Sequence, residues 1–205
     1  MGFAGTGGWA VATIVLGAAV VGVTGVAGCG TKASSPSATT TTSSSGSNMV
    51  TGPSAGQATD YSTLLIKPSE IGGDFTAPQP PVLNPNNAAG VAQLFANADN
   101  SRRIGDTILI VADPAAAAAG IENTKANYAS KVSGTWQPVD VGANGTLISG
   151  TSQDNSQAIT VLLFSEGKAL VDLEFNSAPD DPIDVGVATD IGRRQDAAIR
   201  NGLSH

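Results

Sequence analysis

The run Gln157-Ala158-Ile159-Thr160-Val161-Leu162-Leu163-Phe164 is followed, across Ser165-Glu166-Gly167-Lys168, by Ala169-Leu170-Val171-Asp172-Leu173-Glu174-Phe175-Asn176. The second half alternates. Ala169, Val171, Leu173 and Phe175 point one way, and Asp172, Glu174 and Asn176 the other, which is the two-residue period of a strand with one buried face. The polar side of this strand reads as facing solvent. From Ile159 to Phe164 the first half is apolar on both faces, so it predicts a central strand. The four residues between them form a turn, and the pair is a hairpin at the heart of a sheet.

Working outward, Trp136–Val141 and Gly145–Thr151 read as two more strands, with Gly142-Ala143-Asn144 and Gln153-Asp154-Asn155 as turns. Upstream, Val91–Ala96 and Arg102–Ala112 flank Asn97-Ala98-Asp99-Asn100. Asn and Asp bond their own backbone and tolerate left-handed dihedrals, so this is a second hairpin. Asp113-Pro114 is a helix start, because Asp caps free amides and Pro suits the first helical position. That helix is predicted to run to about Lys131, with Ala117, Ile121, Thr124, Tyr128 and Val132 inward. Asp181-Pro182 repeats the signal for a last helix to about Asn201, with Ile183, Val187, Ile191 and Ile199 inward, and weakened by Gly186 and Gly192. Asp74–Asn87, with Pro78, Pro80, Pro81 and Pro85, reads as an ordered loop or extended edge. The expected fold is α+β: a mostly antiparallel sheet of about five to six strands with two main helices packed on it.

The chain before Tyr61 has a different character. Trp9 to Ala27 is almost wholly Ala, Val, Ile, Leu and Gly, and the first charged side chain is Lys32. Such a run near the start, ending in small residues, reads as a secretory signal segment. Its length approaches the ~20 residues that cross a bilayer, so an uncleaved anchor is the alternative, although internal glycines weaken it as a permanent helix. Thr31 to Ala58 is mostly Ser, Thr, Gly, Ala and Pro, centred on Thr39-Thr40-Thr41-Thr42-Ser43-Ser44-Ser45. It has too little apolar surface to offset the entropy of folding and reads as a spacer, with a Ser/Thr run suited to glycosylation. Three parts result: residues 1–28 as signal, 29–60 as tether, and 61–205 as a single folded domain.

Val26-Ala27-Gly28-Cys29 resembles the lipobox of bacterial lipoproteins. The resemblance implies a diacylglycerol on the Cys29 sulfur, cleavage before Cys29, and anchoring at the outer face of the cell membrane. Two acyl chains make such anchoring stable. The block from Leu64 to Leu203 is similar to a mycobacterial envelope-lipoprotein domain of unknown function, through Tyr61-Ser62-Thr63-Leu64-Leu65-Ile66, Arg102-Arg103-Ile104-Gly105-Asp106-Thr107 and Gly192-Arg193-Arg194-Gln195-Asp196. Its element order is also similar to the PsbP/Mog1-like lipoproteins of the same bacteria. Neither resemblance implies a catalytic motif.

Composition narrows the chemistry. The 205 residues carry 10 basic and 17 acidic side chains, a formal net charge of −7, with one Cys and one His. An acidic chain without a basic cluster argues against nucleic acid. The one imidazole, His205, is the last residue, and a Ser-His-Asp or Cys-His centre needs an imidazole held inside the fold. Zinc needs Cys and His ligands at set spacing, and these are lacking. No catalytic residue, metal or cofactor is therefore expected beyond the covalent lipid on Cys29. Asp180, Asp181 and Asp184 read as acids complementing a helix dipole, with a calcium site as the alternative. Arg102 and Arg103 are candidate binding groups for a carboxylate or phosphate; the plainer reading pairs an edge Arg with Asp99 or Asp106. Arg194 is expected to pair with Asp190 on the last helix. Trp136 is either core or the mark of a binding surface. Three functions stay open: a non-enzymatic envelope module for a protein, glycan or lipid; a carrier of an acyl lipid or glycolipid; and a carboxylate-based glycan-acting enzyme, for which Asp172 and Glu174 share a face.

Mass spectrometry of the mature protein should find Cys29 as the first residue with diacylglycerol mass on its sulfur. An unmodified Cys29 in membrane-bound protein would contradict this.

Overall fold

The structure is a computed structural model that describes residues 59–203. Val26, Ala27, Gly28, the expected lipidation site Cys29 and the stretch to Ala58 expected to be a tether lie outside the described residues. Eight strands form one antiparallel sheet. They are β1 (Val82–Leu83), β2 (Gly90–Ala96), β3 (Arg103–Ile110), β4 (Val132–Ser133), β5 (Gln137–Pro138), β6 (Ala143–Ser152), β7 (Ala158–Glu166) and β8 (Ala169–Ser177). The order across the sheet is β1-β2-β3-β8-β7-β6-β4, and β5 also pairs with β6. Three helices accompany it: α1 (Pro68–Ile71), α2 (Pro114–Tyr128) and α3 (Val185–Leu203). None of these helices is long and apolar enough to cross a membrane.

The α+β class and antiparallel sheet hold, but the expected five to six strands become eight. The additional strands, β1 and β4, are two residues long and too short to show a period. β1 lies in the proline-rich segment, where Val82 and Leu83 pair with Ala92 and Val91 as a short exposed edge. Prolines are tolerated there because an outer strand has unpaired amides anyway. Trp136–Val141 is not one strand either, since only Gln137 and Pro138 pair with β6.

β7 is buried from Ala158 to Ser165. Leu162 and Phe164 belong to one cluster, with Leu173, Phe175, Ile104, Ile108 and, from α3, Ala188, Ile191 and Ile199. Val161 and Leu163 belong to a second, with Ile148, Leu170 and, from α2, Ala117, Ile121 and Tyr128. Successive β7 residues therefore point into different cores, and the two main helices lie on opposite faces of the sheet. Close approach is built into both. A Cβ on Gly120 of α2 would lie 2.7 Å from the Leu170 side chain, and one on Gly192 of α3 only 2.2 Å from that of Leu162. Gly192 is thus a packing device rather than a weak point.

α2 begins as expected, with Asp113 accepting from the Ala116 amide at 2.8 Å, and it ends at Tyr128. α3 starts later than Asp181-Pro182 suggested. Asp184 accepts from the amides of Gly186 and Val187, while the Asp181 carboxylate is held by Arg102. The later start leaves Val187 outside, 51% exposed, and Ala188 and Gln195 take inward places. Gln195 donates to the Leu64 carbonyl at 2.6 Å and accepts from the Ile66 amide at 2.8 Å, tying the Leu64–Ile66 segment to α3.

Asp106 faces the α3 core between Ile104 and Ile108, and neither carboxyl oxygen has a hydrogen-bond partner among the described residues. Burial, and then the negative charge of Asp172, push its pKa up to about 8. An acid raised this way costs stability as pH climbs from the ordinary aspartate value of 3.8 to about 8, because the folded form holds the proton longer than the unfolded one. Thermal melts should show stability falling from pH 5 to pH 8.5. In Asp106→Asn the fall should be shallower, with the variant gaining on the wild type at pH 8.5 by on the order of 1–3 kcal/mol.

Candidate functional site

The two faces of the β2–β3–β8 half of the sheet are treated differently. Register places Arg103, Gly105 and Thr107 of β3 opposite Asn176, Glu174 and Asp172 of β8. Directly opposed residues share a face, so these six lie together, on the α2 side. This polar side of β8 is not open to solvent as its alternation suggested. α2 packs over β7 and β8, and Asp172, Glu174 and Asn176 are half-buried beneath or beside it. Beyond the helix, Ala92, Leu94, Arg103, Gly105 and Thr107 form a half-exposed shelf of mostly small side chains.

The centre of the strip is Tyr128, the last residue of α2. Its hydroxyl is 3.1 Å from each Asp172 oxygen and 2.8 Å from Oε2 of Glu174. Asn176 donates to the other Glu174 oxygen at 2.9 Å. Trp136 meets the Tyr128 ring edge to face, with centroids 6.3 Å apart. The Lys131 ammonium stands 5.1 Å from the same ring centroid, within cation–π range. A line of groups results: indole, phenol, two carboxylates and an amide, with the shelf beside them.

One phenol has one proton, and two carboxylates compete for it. Burial, then the charge of Glu174, push Asp172 up to about 7, while the Tyr128 hydrogen bond and the Lys131 charge act against the rise. Burial and the two carboxylates drive the Tyr128 hydroxyl upward, so it stays protonated. Below about pH 7 a neutral Asp172 can donate to the phenol oxygen while the phenol donates to Glu174, and every group is satisfied. Above that, a charged Asp172 competes with Glu174 for the one phenol proton.

The residues singled out from sequence are partly brought together. Trp136 is half-buried on the strip, and Arg103 is at its other end, in register with Asn176. Arg102 is drawn away. It pairs neither with Asp99 nor with Asp106, but grips Asp181 through Nε at 3.2 Å and Nη2 at 2.7 Å, joining the β2–β3 turn to the segment before α3. With Asp181 so engaged and Asp184 capping, the acidic trio is accounted for in part without a cation, and no group of three or more acidic, His or Cys side chains among the described residues is placed to hold a metal. Arg194 donates to the Glu70 carbonyl, and Arg193 takes Asp190 instead, at 3.1 Å. Tyr128 went unnoticed as a functional group because its place on the apolar stripe of α2 accounts for it as core. The signal available was the acidic face of β8, which needed a donor once covered.

Tyr128→Phe keeps the ring and removes the donor. Urea unfolding should show a loss of about 1.5–3 kcal/mol at pH 8, above the Asp172 pKa of about 7. The loss should shrink at pH 5, because an Asp172 deprived of the phenol would hold its proton more firmly still.

Among solved structures, the chain is similar to the extracellular domain of PknH from Mycobacterium tuberculosis, with 12% identity and a TM-score of 0.49 over 70% of this chain and 95% of that one. No family model matches the chain. No curated protein matches it either.

Proposed function

We propose that the protein is an exported, lipid-anchored binding module, without catalytic activity, that holds a hydroxyl-rich glycan of the cell envelope along the Trp136–Tyr128–Asp172–Glu174–Asn176 strip. The observation that carries this is the composition of the strip: the half-buried ring of Trp136, backed by the buried ring of Tyr128, followed by carboxylate and amide oxygens half-open beside a shelf of small residues. Sugars offer apolar C–H faces to aromatic rings and hydroxyl donors to carboxylates, and need few precisely directed polar groups for orientation. A shelf flanked by charged groups suits such a ligand better than an acyl chain.

Binding without hydrolysis is supported by the occupant of the gap between the acids. Paired-carboxylate glycosidases keep about 5–9.5 Å between their acids for the sugar carbon and its water. Here the Tyr128 hydroxyl is within hydrogen-bond distance of both carboxyl groups at once and occupies the place between them. The export and anchoring parts rest on the apolar run to Ala27, on Cys29 after it, and on the Ser/Thr-rich stretch to Ala58.

In protein beginning at Cys29, Trp136 is the sole tryptophan and reports on the strip directly. Titration with oligosaccharides of neutral and amino sugars should change its fluorescence saturably. Asp172→Asn should weaken binding about tenfold, the loss of one charged hydrogen bond. The sugar should be recovered intact after long incubation. Cleaved sugar would replace this reading with an enzymatic one, and silence across all sugars would remove it.

A further inference from the structure

Four arginines are engaged by the fold itself. Arg102 grips Asp181, Arg193 bonds Asp190, Arg194 donates to the Glu70 carbonyl and Arg200 pairs with Asp196. Arg103, half-buried at the start of β3, has no hydrogen-bond or ion-pair partner among the described residues. Two acids lie on its face of the sheet, yet neither takes it. Asn176 stands directly opposite Arg103, and Glu174 lies two residues further along β8, roughly 7 Å of strand. One Glu174 oxygen accepts from the Asn176 amide at 2.9 Å, and the other from Tyr128 at 2.8 Å. Asp172, two residues further again, stands 3.1 Å from the same phenol. The guanidinium is left at the end of the strip with its donors unclaimed.

The sheet surface beside it is open. Gly105 follows Arg103 on the same face of β3, with Glu174 opposite on one side and half-exposed Leu94 on the other. A Cβ there would meet nothing beyond its chain neighbours nearer than the Glu174 carbonyl, at 4.0 Å. Gly120 and Gly192 differ, since leucine side chains press against them. Half-buried Thr107, opposite Asp172, lies at the far end. A notch results, floored by backbone, with a cation at one end and a hydroxyl at the other.

We propose that the notch over Gly105 takes an acidic sugar residue whose carboxylate is held by the Arg103 guanidinium. This rests on the glycan reading above and narrows it to an oligosaccharide with at least one residue of the uronic-acid type. Arg presents a planar fork of N–H donors, which a carboxylate matches with two parallel bonds. The surrounding charge selects the kind of anion. Glu174 borders the notch, Asp172 lies beyond it, and the whole chain carries −7. A phosphate monoester has nearly two negative charges at neutral pH and meets about twice the repulsion that a carboxylate meets. A uronic acid also brings hydroxyl donors on the same ring. Glu174 accepts two hydrogen bonds and an ionised carboxylate has about four acceptor positions, so it has room for one of them. One sugar residue thus answers both signs of charge at this end of the strip.

The test titrates the full-length chain in detergent calorimetrically at pH 7.5 with trigalacturonic acid, with its fully methyl-esterified form, and with glucose 6-phosphate. The free acid should bind about tenfold more tightly than the ester, the effect of one hydrogen bond to a charged group. In Arg103→Gln that preference should vanish while the ester binds as before. In Arg103→Lys it should survive in part, because the charge stays and the fork is lost. Lys168→Gln, in the turn at the other end of β8, removes an equal charge and should keep the full preference. An ester bound as tightly as the acid, or a preference for the acid that outlasts Arg103→Gln, would overturn the proposal and leave the glycan reading standing. Glucose 6-phosphate bound more tightly than the acid would overturn the choice of a carboxylate. Silence toward acid and ester alike would overturn both readings together. Should Arg103→Gln not fold, wild-type amide resonances decide. Those of Gly105 and Asn176 should move further with the acid than with the ester, and equal movement would overturn the proposal.

Discussion

Both faces of β7 must be kept from water, and the rest of the architecture answers that demand. A strand whose successive side chains are Val161, Leu162, Leu163 and Phe164 cannot lie at the surface of a one-sided sheet. It needs a neighbour on each edge and a helix on each face. β6 and β8 supply the edges, α2 one face and α3 the other. Burying a side chain of this size contributes about 1.5–3 kcal/mol, so an uncovered face of β7 would forfeit much of a typical domain's net stability.

Covering both faces has an electrostatic cost, and the polar features of the molecule are where it falls. β8 carries its acids on the side that α2 then covers, which brings Asp172 under Tyr128. β3 carries Asp106 on the side facing the α3 core. Asp196 turns inward because α3 packs tightly on β7 at Gly192. In all three places an ionisable group is buried or half-buried, and each is near another acid. Such groups are neutralised or partnered in some way, which makes them the places where ligands and protons have most leverage.

Much of the fold was legible because long strands announce themselves. The central hairpin, the Asn97–Asn100 turn and the Asp113-Pro114 helix start all stand where their residues place them. Two-residue strands such as β1 and β4 have no period to read, since their existence depends on a partner strand distant in the chain. Asp181-Pro182 misled because a local capping signal lost to a long-range one: the carboxylate that could have capped a helix is claimed by Arg102. The candidate site was half visible. Trp136 and Arg103 stood out by type, whereas Tyr128 looked like one more apolar residue on a stripe. Alternation assigned Asp172 and Glu174 correctly to one face; it could not say that the face would be roofed. That depends on the right number of strands lying to either side, which only tertiary packing decides.

The amide of Gln195 has a mechanical meaning. It is fully buried and grips the chain at Leu64 and at Ile66, near the start of the described residues. A pull on the chain from upstream of Leu64 would load this fastening first, because its two hydrogen bonds hold the backbone of Leu64 and Ile66 to α3. Breaking those two bonds would free the Leu64–Ile66 segment from α3 without removing any hydrogen bond of the sheet.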